Sequence, residues 1–394
     1  MGGAEARPAG PATLFIANIA WDFVWQRHQT LASRFARDGP VVFCEVPGIR
    51  RVGWRDAPRL LARLRVLRRG GGEDPGEPPP AGVRLARPFV LPATNALACA
   101  FNARSLARFL ARDPGLRAGV DLVVNYSPAR TALQLLDRVP HRRLLYDCTD
   151  DWLAVRGIPA FLPGDERALL GRADLTTVPS RALEARKRPF ARRLARVPHG
   201  VLPDRFEVGP RAPPPDGRLT LLYYGHLHAQ HLDGAAVDAL ARARPGWRLV
   251  LAGPVRTPRR FPPNVALPGQ VPHGRLRDLV AAADALLLPY AMNDYTAAVL
   301  PAKIYECLAT GRPIVASPLP ELAADFAAHL VFAAEPGAWP AAVEAALRAD
   351  SAAARAARIA LARANTWESR YEQIRALLAE TGPAPARAGR PSVP

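Results

Sequence analysis

Short apolar runs alternate with Ala-, Arg- and Leu-rich stretches of helical period along most of the chain. That alternation predicts parallel sheets covered by helices, an α/β fold. In the first half, TLFIANIA (13–20) reads as a buried strand and WQRHQTLASRFARDG (25–39) as an amphipathic helix stopped at Gly39. VVFCEV (41–46), DLVVNYS (121–127), RLLYDCT (143–149) and ADLTTVPS (173–180) read as further strands. The second half repeats the style. Strands are expected at 219–225, 247–253, 264–271, 284–290 and 312–318, and helices at 233–246, 274–283 and 301–310. NTWESRYEQIRALLAE (365–380) reads as a terminal helix.

The halves are separated by EVGPRAPPPDGR (207–218), whose three consecutive prolines mark a stiff, exposed connection. The expected organisation is a first domain over 1–206, a linker over 207–218, a second domain over 219–364, the helix 365–380, and a disordered tail from 381 to 394. GGGEDPGEPPPAG (70–82) reads as a long loop inside the first half. No fixed-period repeat is present.

Composition narrows the setting. No run approaches ~18 uninterrupted apolar residues, so no transmembrane helix is expected. The start, MGGAEARPAG, lacks the apolar core of a secretory signal. Cys44, Cys99, Cys148 and Cys307 show no CxxC or metal spacing, and read as reduced thiols of a cytoplasmic protein. The formal charge of +18 favours anionic partners: phosphorylated small molecules, nucleic acid or an anionic membrane face. Of the 53 Lys and Arg residues, only Lys187 and Lys303 are lysines, which leaves 51 arginines. A bias of that size makes each lysine worth questioning.

Lys303 stands in VLPAKIYECLATGRPIVASPLPEL (299–322), where Pro301 suits a first helical position and Gly311 the position past a helix end. A cation in a first turn opposes the helix dipole by ~0.3–1 kcal/mol unless an anion is bound there. Glu306 lies three residues on and on the same face, placed to accept hydrogen bonds from ribose hydroxyls. The pair describes half of a nucleotide-diphosphate pocket, since open parallel sheets bind ligands beyond the carboxyl ends of their strands. The plain alternative is an i,i+3 ion pair on a solvated face.

The stretch PAKIYECLATGRPIVAS resembles the donor-site segment of GT-B glycosyltransferases, including the family-4-like group of teichuronic-acid, capsule and exopolysaccharide enzymes. RADLTTVPS, RVPHGVLPDRF (196–206), LLYYGHL, RLVLAGP and LPGQVPHGRLRDLVAAADALLLPY carry the likeness further. It implies two Rossmann-like, doubly wound domains facing a cleft, the first binding an acceptor and the second a nucleotide sugar. It also implies transfer of a hexosyl or glucuronosyl unit to a polysaccharide or lipid-linked acceptor, with no further cofactor, no metal and no nucleic-acid partner. Glu306 matches the ribose-binding glutamate, and Lys303 lies where a cation meets the phosphates. Gln270 and Val271 match the base-contacting segment, and Gly225 and Gly253 match turns close to the donor. His199, at the entry to the linker, is a further donor-side candidate. Two departures stand out. Ala298 occupies the position of a second acid common in retaining members, and His226, His228 and His231 replace a basic pair after the first strand of the second domain.

YDCTDDW (146–152) puts Asp150 and Asp151 at a strand's carboxyl end, candidates for a base that takes an acceptor proton. Capping of the next helix is the alternative role. NIAWDFVWQRHQ (18–29) offers Asp22, Trp25 and Arg27 as acceptor-binding residues. The stretch 50–70 carries Leu60, Leu64 and Leu67 on one helical face. Its residues 50–69 hold eight arginines against Asp56, the pattern of a peripheral contact with an anionic membrane. Two rival functions share these features: a nucleotide-sugar 2-epimerase of the same fold, and a non-catalytic basic protein binding membrane or nucleic acid.

Overall fold

A computed structural model describes residues 12–22, 25–46, 78–154, 157–211 and 217–382. The basic stretch 50–70 lies outside the described residues, as do 70–77 of the glycine-rich loop, 212–216 of the linker and 383–394 of the tail.

The described residues form two parallel sheets. The first contains β1 (Thr13–Ala17), β2 (Val41–Glu45), β3 (Val83–Ala86), β4 (Val120–Asn125), β5 (His141–Asp147), β6 (Leu175–Val178) and β7 (Leu194–Arg196), in the order β3-β2-β1-β4-β5-β6-β7. The second contains β8 (Thr220–Tyr224), β9 (Arg248–Ala252), β10 (Val265–Gly269), β11 (Ala285–Leu288), β12 (Ile314–Ala316) and β13 (Val331–Phe332), in the order β10-β9-β8-β11-β12-β13. Each order reverses once, between β1 and β4 and between β8 and β11. Those are the topological switch points at which a doubly wound sheet opens a crevice beyond its strand ends.

Both faces of each sheet are covered, which explains the continuous apolar runs in the sequence. Leu14 and Ile16 enter one core cluster while Phe15 and Ala17 enter another. Leu222 and Tyr224 likewise separate from Leu221 and Tyr223. Cys44, Cys148 and Cys307 are buried as free thiols within these layers. Among the described residues no helix is long and apolar enough to cross a membrane.

Contacts divide the described residues into two compact units. The first runs to Pro179, takes Leu183–Val197 and resumes at Tyr371; the second holds Ser180–Ala182 and Pro198–Arg370. The change of unit therefore falls at Val197/Pro198, ahead of the proline-rich 207–218. The reason is local: the Val201 amide donates to the Asn365 carbonyl and the Trp367 amide to the Val201 carbonyl, so 198–206 is stitched to the second unit. The terminal helix Trp367–Ala379 starts in the second unit and ends in the first, where Tyr371, Ile374 and Leu378 are buried with Phe15 and Phe35.

Candidate functional site

The second sheet ends in glycines along its carboxyl edge. Gly225 follows β8 at φ 141°, Gly253 follows β9 at φ 143°, and Gly269 closes β10 at φ 75°, all in the region that favours glycine. The Gly225 amide donates to the Ala252 carbonyl at 2.8 Å, and the Gly253 amide to the Gly269 carbonyl at 2.7 Å. A Cβ on Gly253 would collide with the Gly225 carbonyl oxygen, so bare main chain is obligatory there. Gln270, exposed, and Val271, half-buried, continue directly from this edge.

Lys303 reaches the same edge from the other side of the switch point. It is the residue before the helix Ile304–Ala309, not a member of its first turn. That helix has six residues rather than the ten expected, because Pro301 to Lys303 form a turn ahead of it. Its dipole is correspondingly small, and the local positive charge is the ammonium itself. Lys303 Nζ donates to the Tyr224 carbonyl at 2.6 Å and lies 4.4 Å from the Tyr223 ring centroid and 5.7 Å from those of Tyr224 and Tyr290. Burial works against its charge, but Tyr223, Tyr290 and Cys307 outweigh it and hold the pKa above the ordinary lysine value. The side chain is half-buried, so the cation is fixed without being sealed off. Any Cβ at Gly225 would run into Nζ.

Glu306 is also half-buried. Burial pushes its pKa up to about 7, against the opposing pull of Lys303 and a hydrogen bond from the Tyr224 hydroxyl. Tyr224 thus serves both groups, its carbonyl holding the ammonium and its phenol meeting Glu306 and Cys307 Sγ, the latter at 3.5 Å. His226, next along the chain, has its pKa lowered by burial first and by Arg256, Lys303 and His228 after that, so it is neutral at pH 7. A fixed ammonium, main chain without side chains and a carboxylate near neutrality can together bind a phosphate and a vicinal diol.

The structure therefore brings Lys303, Glu306, Gly225 and Gly253 together, with Gln270 and Val271 at the end of the same edge. His199 lies in the same unit, at its stitched N-terminal entry. It packs against Trp367 with ring centroids 6.3 Å apart, its carbonyl accepts from Arg370 Nε at 3.2 Å, and a Cβ on the adjacent Gly200 would strike the Trp367 main chain. Ala298 is 1 % exposed with its carbonyl accepting from Ser180 Oγ at 2.8 Å, so its position is packed rather than open.

In the first unit the candidates divide. Arg27 is 3 % exposed, and its guanidinium clamps Asp147 through Nε at 2.6 Å and Nη2 at 3.0 Å. Thr177 Oγ1 donates to the same carboxylate at 2.7 Å. Asp22 is exposed, and Trp25 is half-buried with Nε1 donating to Thr30 Oγ1 at 2.7 Å. Asp151 is 6 % exposed and paired with Arg186 and, at 3.6 Å, with Lys187, which also holds Glu166 at 2.8 Å. Asp150 is half-buried and accepts from Thr149 Oγ1 at 3.2 Å. Sequence reasoning missed the tyrosines around Lys303. Tyr223 and Tyr224 end a strand whose apolar run explains them without a site, and Tyr290 is 66 residues further along the chain than Tyr224. Among the described residues no group of three or more His, Cys, Asp or Glu is arranged to hold a metal.

Residues 218–349 match the family model described as glycosyl transferases group 1, a span that coincides with the second sheet and its helices. A protein of Bacillus subtilis named as a teichuronic acid biosynthesis glycosyltransferase, TuaH, is 28 % identical over 208 residues, covering 45 % of this chain and 51 % of its own. The chain thus spans about half the length of that curated relative. Among solved structures, sucrose-phosphate synthase of Thermosynechococcus elongatus superposes with a TM-score of 0.64 at 17 % identity, over 94 % of this chain and 98 % of the other. HepE of Anabaena, solved in complex with UDP, gives 0.63 at 13 % identity, over 94 % and 100 %. The two Rossmann-like units constitute a GT-B-type fold, and the second unit is similar to group 1 glycosyl transferases.

Proposed function

We propose that the protein is a glycosyltransferase that moves a sugar from a nucleotide diphosphate sugar to an acceptor. The observation that carries this reading is the placement of Lys303 and Glu306, both from the segment after β11, at the β8/β11 switch point beside the bare main chain of Gly225 and Gly253. The ammonium neutralises the diphosphate as it departs, Glu306 holds the ribose, and the Gln270–Val271 main chain meets the base. The name of the Bacillus relative and the UDP bound by the Anabaena protein support the same assignment. Asp22 and Trp25 are proposed to contact the acceptor. Asp151 is held by two cations and keeps its turn in place, so the role of base, where one is used, falls to Asp150. The transferred unit is a hexosyl or glucuronosyl group, the acceptor a polysaccharide or lipid-linked saccharide, and the setting the inner face of the cell membrane.

A thermal-shift panel of nucleoside diphosphates tests the site. One of them raises the melting temperature of the wild-type chain, and the rise is lost in Lys303→Met and Glu306→Gln. Release of that diphosphate from its sugar conjugate only when a saccharide acceptor is present identifies transfer; loss of the sugar's C2 configuration without an acceptor would identify an epimerase instead. Absence of any shift with the whole panel overturns the reading.

A further inference from the structure

The helix Ala96–Ala111 of the first unit carries an exposed stripe that no part of the proposed donor site explains. Its inner face is settled: Leu106 and Leu110 are buried, and Asn102 binds the Leu91 amide and carbonyl at 2.8 and 2.7 Å and Thr131 Oγ1 at 2.9 Å. Ser105 Oγ donates to the Phe89 carbonyl, so the segment before the helix is laced onto it. The outward side chains are therefore held on a rigid platform.

Those side chains are of two kinds. Leu97 is 84 % exposed, Phe89 48 %, Phe101 38 % and Leu91 37 %. Phe89 and Phe101 meet edge to face at 6.0 Å, and Leu97 lies one turn from Phe101. Along the same stripe, at spacings of three and four residues, come Arg104, Arg108 and Arg112, all exposed. The helix contains no acidic residue, and among the described residues none of these three arginines has an ion-pair partner.

We infer that this stripe is a membrane-docking surface, with Leu97, Phe101 and Phe89 entering the acyl boundary of an anionic bilayer and Arg104, Arg108 and Arg112 resting on its phosphate headgroups. Large apolar groups at one end and unpaired guanidinium groups at the other match the two layers of a lipid interface. An acidic protein groove would call for a charged rim surrounding an apolar centre, and the stripe has its charge at one end only. The stripe is distinct in sequence from the basic stretch 50–70, and its test reads membrane binding rather than sugar transfer.

Vesicle flotation with the full chain tests it, using phosphatidylcholine with and without phosphatidylglycerol. The wild-type protein floats with the anionic vesicles and not with pure phosphatidylcholine. Leu97→Ser combined with Phe101→Ser lowers the bound fraction about tenfold while the melting temperature holds, and Arg104→Gln with Arg108→Gln lowers it several-fold with a flatter salt dependence. Wild-type flotation by both double variants, or flotation abolished only by neutralising arginines within 50–70, overturns the assignment.

Discussion

The two sheets reverse their strand order in the same way, yet their switch points are finished differently. At β1/β4 the edge is filled by the protein itself. His28 lies against Tyr126 with ring centroids 3.9 Å apart and Nε2 on Asn18 Oδ1 at 3.1 Å, while Arg27 and Asp147 form a wholly buried pair. At β8/β11 the edge is lined by glycines and by two half-buried charged side chains. One topology thus yields a closed polar core and an open, glycine-lined edge, and what separates them is whether long side chains or glycines follow the strands. The two lysines repeat the contrast. Lys187 is locked between Glu166 and Asp151, whereas Lys303 rests on a carbonyl and three aromatic rings.

If that contrast is right, substitutions at the first edge act on folding and substitutions at the second act on binding. The largest effect is expected from Asp147→Ala, which strands a buried guanidinium and costs about 3–5 kcal/mol in urea unfolding. A cost below ~1 kcal/mol would mean that the pair is solvated and the edge not closed. Next comes Lys303→Met, which removes a charge-assisted contact to phosphate. Nucleoside diphosphate affinity measured by calorimetry falls by about 2 kcal/mol, some thirtyfold, with little change in melting temperature. A collapse of the fold in this variant would erase the distinction between the edges.

Acid sensitivity belongs to the closed edge. Burial lowers the His28 pKa from 6.5 to about 3, with Asp147 opposing and Arg27 assisting. The unfolded chain therefore binds the proton first, and stability is lost as pH falls below 6.5 toward 3. The loss amounts to about 2 kcal/mol by pH 5, and His28→Asn removes that share of it. The smallest effect concerns Glu306 at the open edge. With a folded pKa of about 7, it gains its full acceptor strength for a diol only as pH rises through neutrality. Nucleotide affinity in the wild-type chain is expected to rise several-fold from pH 6 to 8 relative to Glu306→Gln, a difference of ~1 kcal/mol at most. Parallel pH profiles would place Glu306 outside the binding edge.

The central strands were legible because both faces of each sheet are covered and they run apolar, whereas the short strands β3, β7 and β13 at the sheet edges carry no such signal. The helix Ala96–Ala111 was not picked out, since its outward positions carry Leu97 and Phe101 where a helical pattern calls for polar residues. Lys303 and Glu306 drew attention as charges in an unusual position, and their nearness in sequence made them readable as a pair. Arg27 and Asp147 are 120 residues apart, and nothing in either neighbourhood reveals that one neutralises the other. The change of unit at Val197/Pro198 carries no mark in the sequence for a related reason. Prolines advertise a stiff segment, whereas the contacts of Val201 with Asn365 and Trp367 that decide membership join distant parts of the chain.

The Tyr224 carbonyl has one further consequence. That oxygen takes one of the three N–H donors of Lys303 at 2.6 Å and aims the ammonium without neutralising it, so a bound phosphate would add to the contact rather than displace it.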